Sequence, residues 1–229
     1  MLQPFGEDLW LSDGPLADVA GFRYPTRMIV VRLGGGGLFV LSPVALGPEL
    51  RAAVDGLGQV RFVAAPNSLH HLHLAPWREA YPHACILAPP GLRRRRPDLA
   101  FDADLGEAPA PEWAADLDQV IVHGNLITAE VVFFHRASRT AIFTDLIQHF
   151  EPGWFAGWRA AVARLDLMAA PEPQTPRKFR LATVHRPAAR AALNRILAWP
   201  TEKVVMAHAP PVETDGQAFI ARTFAWLLP

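Results

Sequence analysis

The chain of 229 residues has a single cysteine, Cys85, so no disulfide can close within it, and a reducing, cytoplasmic setting is expected. It also lacks an excess of either charge, since 22 Lys and Arg face 22 Asp and Glu. A chain without a net field suits neither nucleic acid nor an anionic membrane surface. No apolar run approaches the ~20 residues that a membrane-spanning helix needs. The opening residues, Met1 to Asp8, lack the basic-then-apolar order of a secretory signal. No Gly-x-Ser-x-Gly elbow for a serine hydrolase is present. Gly34-Gly35-Gly36-Gly37 is followed by a strand-like run instead of Lys-Ser/Thr, which fits a hairpin turn and not a phosphate loop.

What the chain does have is apolar mass: 51% hydrophobic residues, with seven Trp and thirteen Phe. That is enough to bury a substantial core, and the length fits one α/β domain over residues 1–229. Proline (22) and glycine (16) are spread along the length, marking many short elements and no long linker. Strands are expected at 9–12, 28–33, 38–41, 60–65, 84–88, 120–122, 130–135, 141–144 and 204–206, where apolar and β-branched residues cluster between turn signals. Helices are expected at 48–57, from Pro76 to Tyr81, and over 154–168, 187–199 and 219–227. In the 154–168 segment Trp154, Trp158, Val162 and Leu165 fall on one stripe, which reads as a core-packing face. The segment 93–113 is polar and Pro-rich and should be a surface excursion. Its Arg93-Arg94-Arg95-Arg96 run reads as a solvated face opposite Asp98, Asp102 and Asp104, with an anion clamp as the alternative.

Three apolar runs stop on residues that bind metals or move protons. Val60–Ala65 leads into Pro66-Asn67-Ser68-Leu69-His70-His71-Leu72-His73, Thr140–Thr144 stops on Asp145, and Lys203–Ala207 stops on His208. Strand ends are where α/β proteins present polar groups over a crevice, because the sheet holds them rigid. His71 and His73 would share a face of an extended loop, whereas a helical start would separate them, and the sequence leaves this open. His135 should belong to a structural network with Glu130 or Asp145. His149 reads as a supporting or surface residue, His83 and His185 as surface residues, and Cys85 as inert core.

This order of elements, with Met28–Leu33, Leu41-Ser42-Pro43, Val63-Ala64-Ala65-Pro66-Asn67 with His70-His71, Glu130–His135 and Ser138-Arg139-Thr140 leading into Thr144-Asp145-Leu146, resembles the metallo-β-lactamase fold. More narrowly, it resembles the uncharacterised metallo-β-lactamase-like proteins of the DUF4336 type. The resemblance implies an α/β, four-layer αββα sandwich with a metal site at one edge. In hydrolases of that superfamily the first metal loop reads His-x-His-x-Asp-His. Imidazole and carboxylate suit zinc or iron, and paired ions can share an Asp and a hydroxide. Here neither register of the Asn67–His73 loop is complete, and the loop Asp is missing. Asp145 stands where the bridging carboxylate belongs, His208 where the late His belongs, and His123 can stand for the middle His. The metal candidates are therefore His70, His71, His73, His123, Asp145 and His208, with Asn67 as a neutral ligand or orienter. Asp145 and His71 are the candidate catalytic proton acceptors. Two functions stay open. One is a metal-dependent hydrolase with one zinc-like or other transition-metal ion and a small-molecule substrate. The other is an inactive, metal-free sandwich acting as a ligand-binding or interaction module.

Overall fold

The computed structural model describes residues 1–228 and has two sheets packed face to face. The first runs in chain order: β1 (Gln3–Gly6), β2 (Leu9–Val19), β3 (Phe22–Arg32), β4 (Gly37–Leu41), β5 (Gln59–Ala64), β6 (Cys85–Ala88) and β7 (Ala103–Asp104). Its first four strands are antiparallel and β4 to β7 are parallel. The second sheet is built from β8 (Leu117–Val122), β9 (Glu130–His135), β10 (Thr140–Ile142) and β11 (Lys203–Val205), ordered β11-β10-β9-β8. β10 and β11 run parallel. Seven helices complete the described chain: α1 (Pro48–Asp55), α2 (Leu74–Ala80), α3 (Leu92–Arg95), α4 (Trp158–Leu165), α5 (Arg177–Ala182), α6 (Arg186–Leu197) and α7 (Gly216–Thr223).

The period of two along each strand explains the layering. Ile29, Val31, Phe39, Leu41, Phe62 and Leu87 point inward and meet Leu117, Ile121, Val131, Phe133 and Val205 of the other sheet. Their neighbours Met28, Val30, Leu38, Val40 and Val63 point outward under Val54, Leu74, Trp77 and Leu92 of α1 to α3. On the far side Val120, Val132, Phe134 and Ala141 pack beneath Phe179, Leu193, Ile196, Phe219 and Ile220 of α5 to α7. Both sheets are thus covered on both faces, which is why their strands read as continuous apolar runs. The layers are helix, sheet, sheet, helix, as expected. Among the described residues no helix is long and apolar enough to cross a membrane.

Several local expectations are corrected. The 154–168 helix shrinks to α4, because Gly153 and Gly157 take positive φ (90° and 58°) and break the chain before Trp158. Its stripe is not core: Trp158 is 60% and Leu165 66% exposed. The 93–113 excursion folds back at its end, where buried Trp113 packs edge-on against Phe39 and Phe62 at 5.2 and 5.0 Å. The first strand is far longer than 9–12. β2 and β3 continue past Gly14 and Pro15 as a two-stranded arm and turn at Ala20-Gly21 (φ 53° and 79°). Cys85 is half-buried, and its thiol is pushed up by burial.

The parallel runs aim their C-terminal ends at one rim. Ser42 follows β4, Pro66-Asn67 follows β5 and Pro89 follows β6, while Thr144-Asp145 follows β10 and Met206 to His208 follows β11. β9 runs the other way, so its first residue, Glu130, lies at the same rim, bridged to Asn67.

Candidate metal centre

Asn67 shapes the loop after β5. Its Oδ1 accepts the backbone N–H of Leu69 (2.8 Å) and of His70 (3.3 Å), an Asx-type turn that swings His70 back over the rim. Its Nδ2 donates to Asp145 Oδ2 (2.8 Å), Thr144 Oγ1 (3.0 Å) and Glu130 Oε2 (3.1 Å). One fully buried amide therefore ties the first sheet to the second.

Glu130 fixes the opposite wall. Its carboxylate accepts the backbone N–H groups of Thr144 (2.9 Å), Asp145 (2.7 Å) and Leu146 (3.2 Å), so the turn after β10 is wrapped around it. Burial and the neighbouring charge of Asp145 push the Glu130 carboxyl upward, against the pull of those N–H donors.

Asp145 lies between two imidazoles. His70 Nε2 is 3.1 Å from Oδ2 and His208 Nε2 is 3.4 Å from Oδ1. Burial alone would raise its pKa, but the His70 charge and the hydrogen bonds from His208 and His70 hold it well below the usual carboxylate range. For His70, burial opposes the charged ring, yet Asp145 and Glu130 prevail and its pKa is raised.

The other nitrogen of each ring is also engaged. His70 Nδ1 is 2.8 Å from Ser42 Oγ, and His208 Nδ1 is 2.7 Å from the carbonyl oxygen of Pro25. A carbonyl only accepts, so His208 carries a proton on Nδ1. Ser42 sits at φ 52°, a left-handed conformation uncommon outside glycine, which sets its hydroxyl against His70. Arg27 clamps the loop that bears His208, donating from Nη1 to the carbonyls of Met206 (2.8 Å) and Ala209 (2.7 Å) while its Nε binds Asp13 (2.7 Å).

His70, Asp145 and His208 form the one group of three or more potential ligands that converges among the described residues, with one ligand atom from each lying within 4.8 Å of the others. Three of the six expected metal candidates lie outside this cluster. His71 turns outward, and its Nδ1 lies 2.8 Å from Arg96 Nη1; burial and the charges of Arg96 and Arg95 depress its pKa. His73 stands just before α2, half-buried. His123 pairs with Glu107 at 2.6 Å on the surface. Asn67 contributes as an orienter through hydrogen bonds. His135 bonds Ser138 Oγ (2.7 Å), not Glu130 or Asp145 as expected. Sequence reasoning assigned no role at this centre to Ser42 or Pro25, and it placed Glu130 only in a structural network with His135. The available signal was a polar residue ending or opening an otherwise apolar strand.

The three groups suit a metal. Two imidazoles and a carboxylate are a donor set for zinc or iron with a position left open. Tetrahedral ligation at ~2.1 Å spaces ligand atoms about 3.4 Å apart, close to the nitrogen–oxygen separations of 3.1 and 3.4 Å here. The orphan Oε1 of buried Gln148, whose Nε2 reaches Asp145 Oδ1 at 3.3 Å, adds an unused acceptor beside the centre.

The profile of the family described as Domain of unknown function (DUF4336) matches residues 8–156. The chain belongs to this family. Solved structures share its fold across nearly the whole length. A metallo-beta-lactamase from Pontibacter korlensis superposes with a TM-score of 0.66 at 12% identity, covering 99% of this chain and 98% of that one. The FIM-1 metallo-beta-lactamase from Pseudomonas aeruginosa in its mono-zinc form gives 0.67 at 10% identity, with 100% and 96% covered. A metallo-beta-lactamase from Erythrobacter litoralis gives 0.62 at 14% identity, with 99% and 91% covered. At such identities the likeness concerns the fold. A search of curated proteins found no relative by sequence.

Proposed function

We propose that this DUF4336 member is a metal-dependent hydrolase that holds one zinc-like ion with His70, Asp145 and His208 and acts on a small-molecule ester, lactone, amide or phosphoester. The observation that carries the reading is the tautomer forced on His208. With its Nδ1 proton given to Pro25, a neutral ring turns the Nε2 lone pair toward Asp145 Oδ1. A lone pair facing a carboxylate calls for a cation between them, either a proton or a metal. His70 suits the same role, since Ser42 can accept its Nδ1 proton once Nε2 is engaged. The mono-zinc form of FIM-1, on the same fold, agrees with a one-ion site.

Such an ion supplies Lewis acidity and a bound water acidified toward neutral pH. The chain's own part is to hold the ligands and keep the interior dry. Asp145 is a ligand and not a base, because Asn67 Nδ2 and Gln148 Nε2 donate to its carboxylate and its pKa is depressed. A small-molecule substrate in a reducing compartment, without nucleic acid, fits the balanced charge and the single half-buried cysteine.

A second reading has one observation behind it. If a charged His70 stands in for the ion, its ring and Asp145 satisfy one another as a buried ion pair, and the raised pKa of His70 favours that charge in a metal-free ligand-binding protein. Elemental analysis of protein purified without chelator or nickel resin separates the two. We expect about one equivalent of transition metal, retained in His123→Ala and lost in Asp145→Ala. Less than ~0.1 equivalent in the unaltered protein, with none taken up on adding zinc, sinks the hydrolase reading.

A further inference from the structure

The Asn67 turn sends His70 inward and His71 outward, to a rim of different character. Arg96 donates to His71 Nδ1 at 2.8 Å, and a guanidinium has no acceptor to offer. The ring proton of neutral His71 therefore sits on Nε2, where it is available as a donor. Arg96 is itself balanced by Asp98 through bonds of 2.8 and 2.6 Å, and Arg93 by Asp104 at 2.7 Å. Arg94 and Arg95 are exposed, and among the described residues neither makes an ion pair. α3, which bears both, starts just after β6, on the rim where Ser42 and Asn67 end their strands. In a chain with no net charge, this places uncompensated positive charge at the edge that holds the buried cluster.

We propose that this rim is an oxyanion-binding subsite, in which His71 Nε2–H and the Arg95 guanidinium hold a carboxylate or phosphate group of the substrate and Arg96 positions the His71 ring. The guanidinium fork matches either anion with two parallel bonds, and the imidazole N–H adds a neutral donor from the loop that also carries His70. Arg95 adjoins Arg96 at the end of α3, and Arg96 Nη1 lies 2.8 Å from the His71 ring, so both proposed donors belong to the same edge of the rim. The proposal deepens the hydrolase reading by restricting its substrates to anionic esters, amides or phosphoesters. It rests on that reading for the reaction but not for the binding of the anion.

The test uses the full chain stripped of metal, at constant ionic strength, with histidine side-chain NMR as the readout. Inorganic phosphate and acetate are titrated separately, with chloride as the control. The expected result is a saturable shift of the His71 ring with phosphate, acetate or both, the tighter ion marking the preferred class, while His83 at the far end of β6 stays unmoved. Arg95→Ala should weaken that binding at least about tenfold, and exposed Arg222→Ala on α7 should leave it unchanged. Zinc uptake, followed by calorimetry, should be the same in Arg95→Ala as in the unaltered chain. A His71 ring that ignores both ions, responds equally to chloride, or binds as well in Arg95→Ala overturns the subsite. Anion binding that persists in a protein unable to take up zinc defeats the hydrolase reading alone and leaves the subsite standing.

Discussion

His70 and His71 are neighbours in the chain and occupy opposite surroundings. The first enters a dry interior where Asp145 and Glu130 favour a positive ring, and the second leaves for a wet rim where Arg95 and Arg96 disfavour one. The interior is built by short bonds across both sheets through Asn67 and Glu130. The rim is built by one short helix and its exposed arginines. The difference teaches that a single turn separates two electrostatic settings: buried carboxylates surround His70, and guanidiniums flank His71; on the proposed reading the first holds the cation and the second draws the anion. Altering one side should leave the other intact.

The largest effect expected on the interior is from Glu130→Ala. It orphans three backbone N–H groups and removes the carboxylate that organises the Asp145 turn, so stability should fall by about 3–5 kcal/mol in urea unfolding. A loss under ~1 kcal/mol would show that the turn holds its shape without it. Next comes Asp145→Asn, which keeps the shape and removes the charge. Zinc affinity should drop at least about 100-fold by calorimetry, while the rim's response to phosphate is unchanged. A parallel loss of phosphate binding would show that interior and rim are one site.

The fold was legible because strands covered on both faces carry unbroken apolar runs, as in Met28–Leu33 and Glu130–His135. Asp145 and His208 could be named as candidates because each ends such a run. The choice among His70, His71, His73 and His123 could not be read, because it depends on the rotation of the loop after Asn67, and that is set by Asn67 Oδ1 capturing the N–H groups of Leu69 and His70. Glu130 was placed in the wrong network because the sequence shows an acid opening a strand but not the three N–H groups of a turn fourteen residues on. Ser42 and Pro25 act through a hydroxyl and a carbonyl at positions ordinary in sequence. The exposed tryptophan stripe misled for the opposite reason: helical periodicity reports a face, and only packing reports what covers it.

Ser42→Ala sharpens the interior further. Removing the partner of His70 Nδ1 should lower zinc affinity about tenfold, as is usual for groups that orient a ligand from behind. Ser42→Gly should show the same loss of affinity with a smaller loss of stability, because glycine relieves the left-handed backbone.

The smallest effect is the dependence of metal-free stability on pH, best measured as the difference between the unaltered chain and Asp145→Asn. In the folded protein Asp145 lies below its ordinary 3.8, so its contribution is present above that value and lost as pH falls through the depressed pKa. His70 lies above its ordinary 6.5, so its contribution is full below 6.5 and lost as pH rises through the raised pKa. The raised Glu130 acts in the same sense as His70, destabilising the fold as it ionises. His71, His73 and His135, all depressed by burial, act in the opposite sense but are common to both proteins and cancel in the difference. The gap should therefore be widest just above 3.8, and should narrow as pH rises through the ionisation of Glu130 and then the loss of charge on His70, and as it falls through the pKa of Asp145. Zinc reverses the alkaline limb, because the ion competes with protons for the same nitrogens and stabilises more as they leave. A gap that keeps widening above pH 6.5 without metal would mean that His70 does not carry the charge its surroundings favour.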